Sequence, residues 1–166
     1  MSLPVQDAVF GTISANGEGY WSGELEYQGR IVEVDLNAED QDSLTASLVH
    51  SLTEQLTKIA ELDHRVRKAV LDAGINDDDA LPRYRAMHLD EIEDAQLCDA
   101  LGSDGAWRND IRAFLDKLHI VRVGLYPEAS ENAFIVDLTL SRDLTDYLLA
   151  VSLDRNGTPT TISLES

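Results

Sequence analysis

Carboxylates dominate the residues that could do chemistry: 31 Asp and Glu stand against 13 Lys and Arg and four His in a chain of 166 residues. Proximity between acids therefore means little, and spacing has to decide. Asp154-Arg155-Asn156-Gly157 with Glu165 sets Asp and Glu at the first and twelfth positions of a calcium loop, but Pro159 stands where the sharp turn needs glycine and the third acidic ligand is missing. Asp35-Leu36-Asn37-Ala38-Glu39 begins such a loop and lacks the glutamate eleven residues after its first Asp. His88-Leu89-Asp90-Glu91 sets an imidazole and a carboxylate one helical turn apart, as di-metal bundles do, without the further glutamates those sites need. No Gly-x-Ser-x-Gly elbow and no Gly-x-Gly-x-x-Gly or phosphate-binding loop is present. The single cysteine, Cys98, lies beside Asp99, whose charge opposes a thiolate, so it reads as structural. His50 and His64 on one helix would be about 21 Å apart, and His119 opens a strand. These patterns assign no catalytic residue, no metal ligand and no cofactor.

One constellation stands out, and it depends on the strands that carry it. Residues 8–36 read as a three-stranded meander: AVFGTIS, then YWSGELEY after Asn16-Gly17-Glu18-Gly19, then RIVEVDL after Gln28-Gly29. A two-residue turn at Gln28-Gly29 pairs Leu25 with Val32 and Glu24 with Glu33, which makes the apolar faces coincide. The opposite face then collects Glu24, Glu26, Glu33 and Asp35. Like charges directly opposite each other cost a sheet a few tenths of a kcal/mol, so the arrangement reads as a solvated face, as a surface for a basic partner, or as an inter-domain or dimer contact.

Residues 42–118 change to a helical period. Leu44, Leu48, Leu52, Leu56, Ile59, Val66 and Val70 recur at three-, four- and seven-residue steps, with Asp42 or Ser43 as cap and Gly74 beyond the end. One helix from Ser43 to Ala73 would be about 46 Å long, so it spans the domain, bends, or breaks near Glu61 to His64. A second helix is expected over Pro82–Leu101 and a third over Ala106–Leu118. From 119 to 165 four alternating strands return, with Val121, Val123, Leu125, Phe134, Val136, Leu138, Leu140, Leu149, Val151, Leu153, Ile162 and Leu164 inward and Asn156-Gly157 turning the last hairpin. Ile120, Tyr126, Ile135 and Leu148 fall on the outer side, where an uncovered apolar patch would suit a homo-oligomer. The expectation is a single α+β domain over 1–166: a largely antiparallel sheet of about seven strands with two to three inserted helices on one face.

The net charge of −18 repels nucleic-acid phosphates and anionic lipid, so direct binding to either is not expected. No apolar run approaches the length of a membrane span, and MSLPVQDAVF lacks the basic start and apolar stretch of a signal peptide, which points to the cytoplasm. The acidity is most one-sided up to residue 41, where eight acids face one base.

Phe10-Gly11-Thr12-Ile13, Gly19-Tyr20-Trp21-Ser22-Gly23-Glu24 and Gly29-Arg30-Ile31-Val32-Glu33-Val34-Asp35-Leu36-Asn37 together resemble the opening of a family of small bacterial cytosolic proteins, domain of unknown function two-thousand-and-four, or a close relative of it. The resemblance covers about the first 40 residues and extends to Ala150–Glu165, whereas the helical middle matches only in kind. It implies no catalytic residues. The expected function is a non-enzymatic interaction module, immunity-like or regulatory, that binds a basic protein through Glu24, Glu26, Glu33 and Asp35. The alternative is a carboxylate-based hydrolase dependent on a divalent metal.

Overall fold

Glycine and a short acidic side chain decide how the chain starts. In the computed structural model, which describes residues 3–166, the Asp7 carboxylate accepts hydrogen bonds from the backbone N–H groups of Val9 (2.8 Å) and Phe10 (3.0 Å), and Gly11 takes a φ of +70°. The turn folds strand β1 (Val5–Asp7) back on β2 (Gly11–Ile13) as a separate two-stranded sheet. AVFGTIS is therefore not the first strand of a three-stranded meander.

The main sheet has six strands among the described residues: β3 (Tyr20–Tyr27), β4 (Arg30–Asn37), β5 (His119–Leu125), β6 (Phe134–Thr139), β7 (Leu148–Leu153) and β8 (Pro159–Glu165), in spatial order 3-4-5-6-7-8. Gln28 (φ 53°) and Gly29 (φ 73°) both take left-handed conformations, the geometry of a tight two-residue hairpin turn. Glu24 faces Glu33 and Leu25 faces Val32, the register expected from the alternation. β4 and β5 run parallel, so the sheet is mixed rather than purely antiparallel. Their connection is the whole helical segment, long enough to cross over and return in the same direction.

That segment forms five α-helices among the described residues, not two or three. Thr45, rather than Asp42 or Ser43, caps α1 (Ala46–Thr57) by accepting from the Leu48 N–H at 3.1 Å. The continuous pattern up to Ala73 breaks at Lys58 (φ −113°, ψ 40°), ahead of the expected Glu61–His64, and resumes as α2 (Ile59–Asp72). The expected 82–101 helix divides into α3 (Ala80–Glu91) and α4 (Asp94–Leu101), because Ile92 and Glu93 are extended. The last helix shortens to α5 (Ile111–Lys117), capped by Asp110, after a 3-10 turn at Ala106–Arg108 that buries Trp107. None of these helices is long and apolar enough to cross a membrane.

The helices and the β1–β2 hairpin cover one face of the sheet. Leu52, Leu62, Val66, Tyr84, Trp107 and Phe114 join Val32, Val34, Leu36, Val123, Val136, Leu149 and Val151 in one core. A bulge alters the expected alternation at the start of β5. The register shifts between Ile120 and Arg122, so Ile120 pairs with Leu138 and enters the core at 2% exposure, whereas Val121 drops out of the pairing. Ile120 therefore does not belong to an outer apolar patch, and the patch expected from Ile120, Tyr126, Ile135 and Leu148 does not form as drawn.

Candidate functional site

The outer sheet face is built from the alternate residues of β3 to β8. Across its middle, the pairings place Glu24, Glu33, Arg122, Asp137, Ala150 and Ser163 side by side on successive strands. Glu24, Glu26 and Glu33 are exposed, as expected. Asp35 is not: it is only 5% exposed and leaves the acidic surface. The cause is Arg122, which the spacing of the acidic residues does not mark. Its Nε donates to Asp35 Oδ2 at 2.6 Å and its Nη2 to Asp35 Oδ1 at 2.8 Å, a two-pronged pairing of the kind a guanidinium makes best. Nη1 donates to Asp137 Oδ2 at 3.1 Å, and Nη2 also donates to the Tyr126 hydroxyl at 3.0 Å. Asn37 Nδ2 completes the cluster on Asp35 Oδ1.

These contacts tie β4, β5 and β6 together across the parallel junction. Burial works against the Arg122 charge, but hydrogen bonds to Asp35 and Tyr126 and the Asp35 charge outweigh it and raise its pKa. Burial dominates at Asp137 and pushes that carboxyl up, with Arg122 pulling the other way. Arg122 and Asp137 interrupt the otherwise largely apolar strands HIVRVGL and FIVDLT, a signal that could have revealed the pair.

Two concavities flank the acidic strip. At the start of β4, Arg30, Ile31, Glu33, His119, Val121, Ser141 and Arg142 line a cleft of about 550 Å³. Arg142 Nη2 donates to Glu33 Oε2 at 3.3 Å, with both side chains at least half exposed. His119 Nδ1 is buried without a partner, and burial, reinforced by Arg30, Arg142 and Arg67, lowers its pKa to about 4. No hydrogen bond joins His119 to Ser141 among the described residues, so the cleft does not present a nucleophile held by its base. At the far end of β4, Glu18, Glu39 and Glu128 surround Tyr20, Asn37 and Tyr126 in a cavity of about 570 Å³.

The other sequence candidates lie apart from this face. His88 is 1% exposed and both ring nitrogens are engaged, Nδ1 with the Tyr84 carbonyl at 2.6 Å and Nε2 with Thr145 Oγ1 at 2.8 Å. Cys98 is half-buried and accepts from Arg108 Nη2 at 3.1 Å. His50 and His64 are exposed on α1 and α2. Among the described residues, no group of three or more His, Cys, Asp or Glu side chains is arranged to hold a metal ion. No protein-family model matches the chain, and neither a curated protein nor a solved structure is significantly similar to it.

Proposed function

We propose that this chain is a non-enzymatic protein-interaction module, immunity-like or regulatory and acting in the cytoplasm, that binds a basic protein on the outer face of its sheet. The observation that carries this reading is the direct opposition of Glu24 and Glu33, with Glu26 exposed beside them, on the β3–β4 hairpin. Such an arrangement costs the fold a little stability and gains an oriented negative field. Glu18, Glu39 and Glu128 extend that field to the cavity around Tyr20 and Tyr126, where an arginine or lysine of the partner can meet both carboxylates and an aromatic ring. Asp35 contributes to the rigidity of the face rather than to its charge.

The test is binding of a labelled decalysine peptide at low salt. The Glu24→Gln/Glu26→Gln/Glu33→Gln variant should bind about tenfold more weakly. A control with the same loss of charge on the helical side, Asp90→Asn/Glu93→Gln/Asp116→Asn, should bind nearly as wild type does. Equal loss in both variants would mean that the peptide responds to net charge alone, and the proposal would fail.

A further inference from the structure

The two edges of the six-stranded sheet are treated differently. β3, at one edge, carries Glu24 and Glu26, and the β1–β2 turn leans on it so closely that a Cβ at Gly23 would meet the Val9 carbonyl at 2.8 Å. Charge and cover are the usual defences of an edge. β8, at the other edge, carries a single charge, Glu165, at its end. No described strand pairs with its outer side, and from Thr161 to Glu165 it runs without a bulge, a proline or a lysine. Thr161, Ser163 and Glu165 are exposed, and Ile162 and Leu164 are only half-buried although they face the core side. Between this edge and α2 lies a groove of about 430 Å³, lined by Arg65, Lys68, Ala69, Asp72 and Ala73 opposite Pro159–Ile162.

We propose that β8 pairs antiparallel with β8 of a second copy of this chain, joining two six-stranded sheets into one. The regular stretch 161–165 is symmetric about Ser163. In that register Ser163 faces its own counterpart, Ile162 faces Leu164 of the other copy, and Thr161 faces Glu165 of the other copy. Apolar meets apolar on the side of the groove, hydroxyl meets hydroxyl or carboxylate on the outer side, and no like charges stand opposed. The added strand brings its leucine against Ile162, at the groove walled by Ala69 and Ala73.

Charge selects this occupant over the basic partner. Arg65 and Lys68 against Asp72 leave the rim of the groove net positive, in contrast to the acidic strip on β3 and β4. Pairing through β8 also keeps the acidic edges far apart: with strands about 4.8 Å apart, the two β3 strands of the dimer lie eleven spacings, about 53 Å, from each other. That is several times the screening length of ~8 Å at physiological salt. Pairing through β3, or face to face, would set Glu24 and Glu33 of the two copies against each other.

Sedimentation equilibrium over about 10 μM to 1 mM protein tests this. The wild-type weight-average mass should rise toward twice that of the 18.3-kDa chain. Added salt should favour the dimer by screening the residual repulsion, whereas it weakens binding of a basic partner. Thr161→Glu, which sets a carboxylate against Glu165 of the other copy, should remain monomeric where wild type is dimeric. Thr161→Glu/Glu165→Lys should recover the dimer by exchanging the charges. Glu24→Gln/Glu26→Gln/Glu33→Gln should dimerise as wild type does, which separates this surface from the acidic face. A wild type that stays monomeric throughout, a Thr161→Glu variant that dimerises normally, or a double variant that does not recover each overturns the proposal.

Discussion

Gly124 makes the space in which the Arg122 guanidinium lies. A Cβ at residue 124 would stand 2.7 Å from Arg122 Nη2 and 2.9 Å from the Tyr126 ring. The backbone there has no left-handed φ, so the need for glycine comes from the side chain that crosses it and not from the chain's own conformation. Removing that space displaces a guanidinium pinned by Asp35, Asp137 and Tyr126, so any retreat gives up hydrogen bonds to them.

Gly124→Ala should therefore destabilise the fold by about 1–3 kcal/mol, the range for overpacking a filled site. Arg122→Met should cost about 3 kcal/mol or more, because it leaves two buried carboxylates without their cation. Urea unfolding of both single variants and the double variant checks the link. Gly124→Ala should cost clearly less once Arg122 is Met; strictly additive effects would mean that the glycine serves some other contact.

The two buried histidines should make stability fall as the solution is acidified below neutrality, against the opposite contribution of Asp137, whose carboxyl burial pushes up. Burial lowers the pKa of both His88 and His119, the latter to about 4, so the folded protein keeps these rings neutral while the unfolded chain protonates near 6.5. The unfolded state then binds more protons, and the stability present above pH 6.5 is lost as the pH drops toward about 4. Thermal melts of wild type and His119→Gln between these limits should show a shallower decline in the variant. Parallel curves would assign the acid sensitivity elsewhere.

Glu24→Lys should stabilise the protein while impairing the proposed binding face. It replaces a repulsive cross-strand pair with Glu33 by an attractive one, worth roughly 0.5–1 kcal/mol, or about 1–4 °C in Tm for a chain of this size. Affinity for decalysine should drop in the same variant. A lower Tm would show that the two carboxylates are held apart by their rotamers and do not repel.

Moderate salt should raise the melting temperature. The net charge of −18 is relieved by only seven ion pairs among the described residues, three of them between neighbouring turns of a helix. Raising NaCl from about 10 to 300 mM shortens the screening length to a few ångströms, which weakens repulsion more than it weakens the buried Arg122 pairs. An unchanged Tm would indicate charges already too dispersed to repel.

What the sequence determined by itself is local. The Glu24–Glu33 register follows from strict alternation on either side of a two-residue turn ending in glycine. Asn156-Gly157 marks the β7–β8 hairpin, although the connection there is a five-residue loop, 154–158, with a register shift at the end of β7. The alternation of β6 and β7 and the helical period of residues 46–72 likewise needed only neighbours to be read. Tertiary structure decided what depends on residues far apart in the chain. Asp35 belongs to the outer face by parity, yet Arg122, 87 positions later, turns it from a surface charge into a buried partner. That meeting requires β4 and β5 to lie parallel, which only the packing of the intervening helices arranges. The bulge at Val121 turns Ile120 into the core and takes Val121, still buried, out of the strand pairing; the two residues are nearly equal in hydrophobicity, so alternation had no means of telling them apart. Period and turn chemistry act over a few residues, whereas burial of a charge is set by whichever element arrives on top of it.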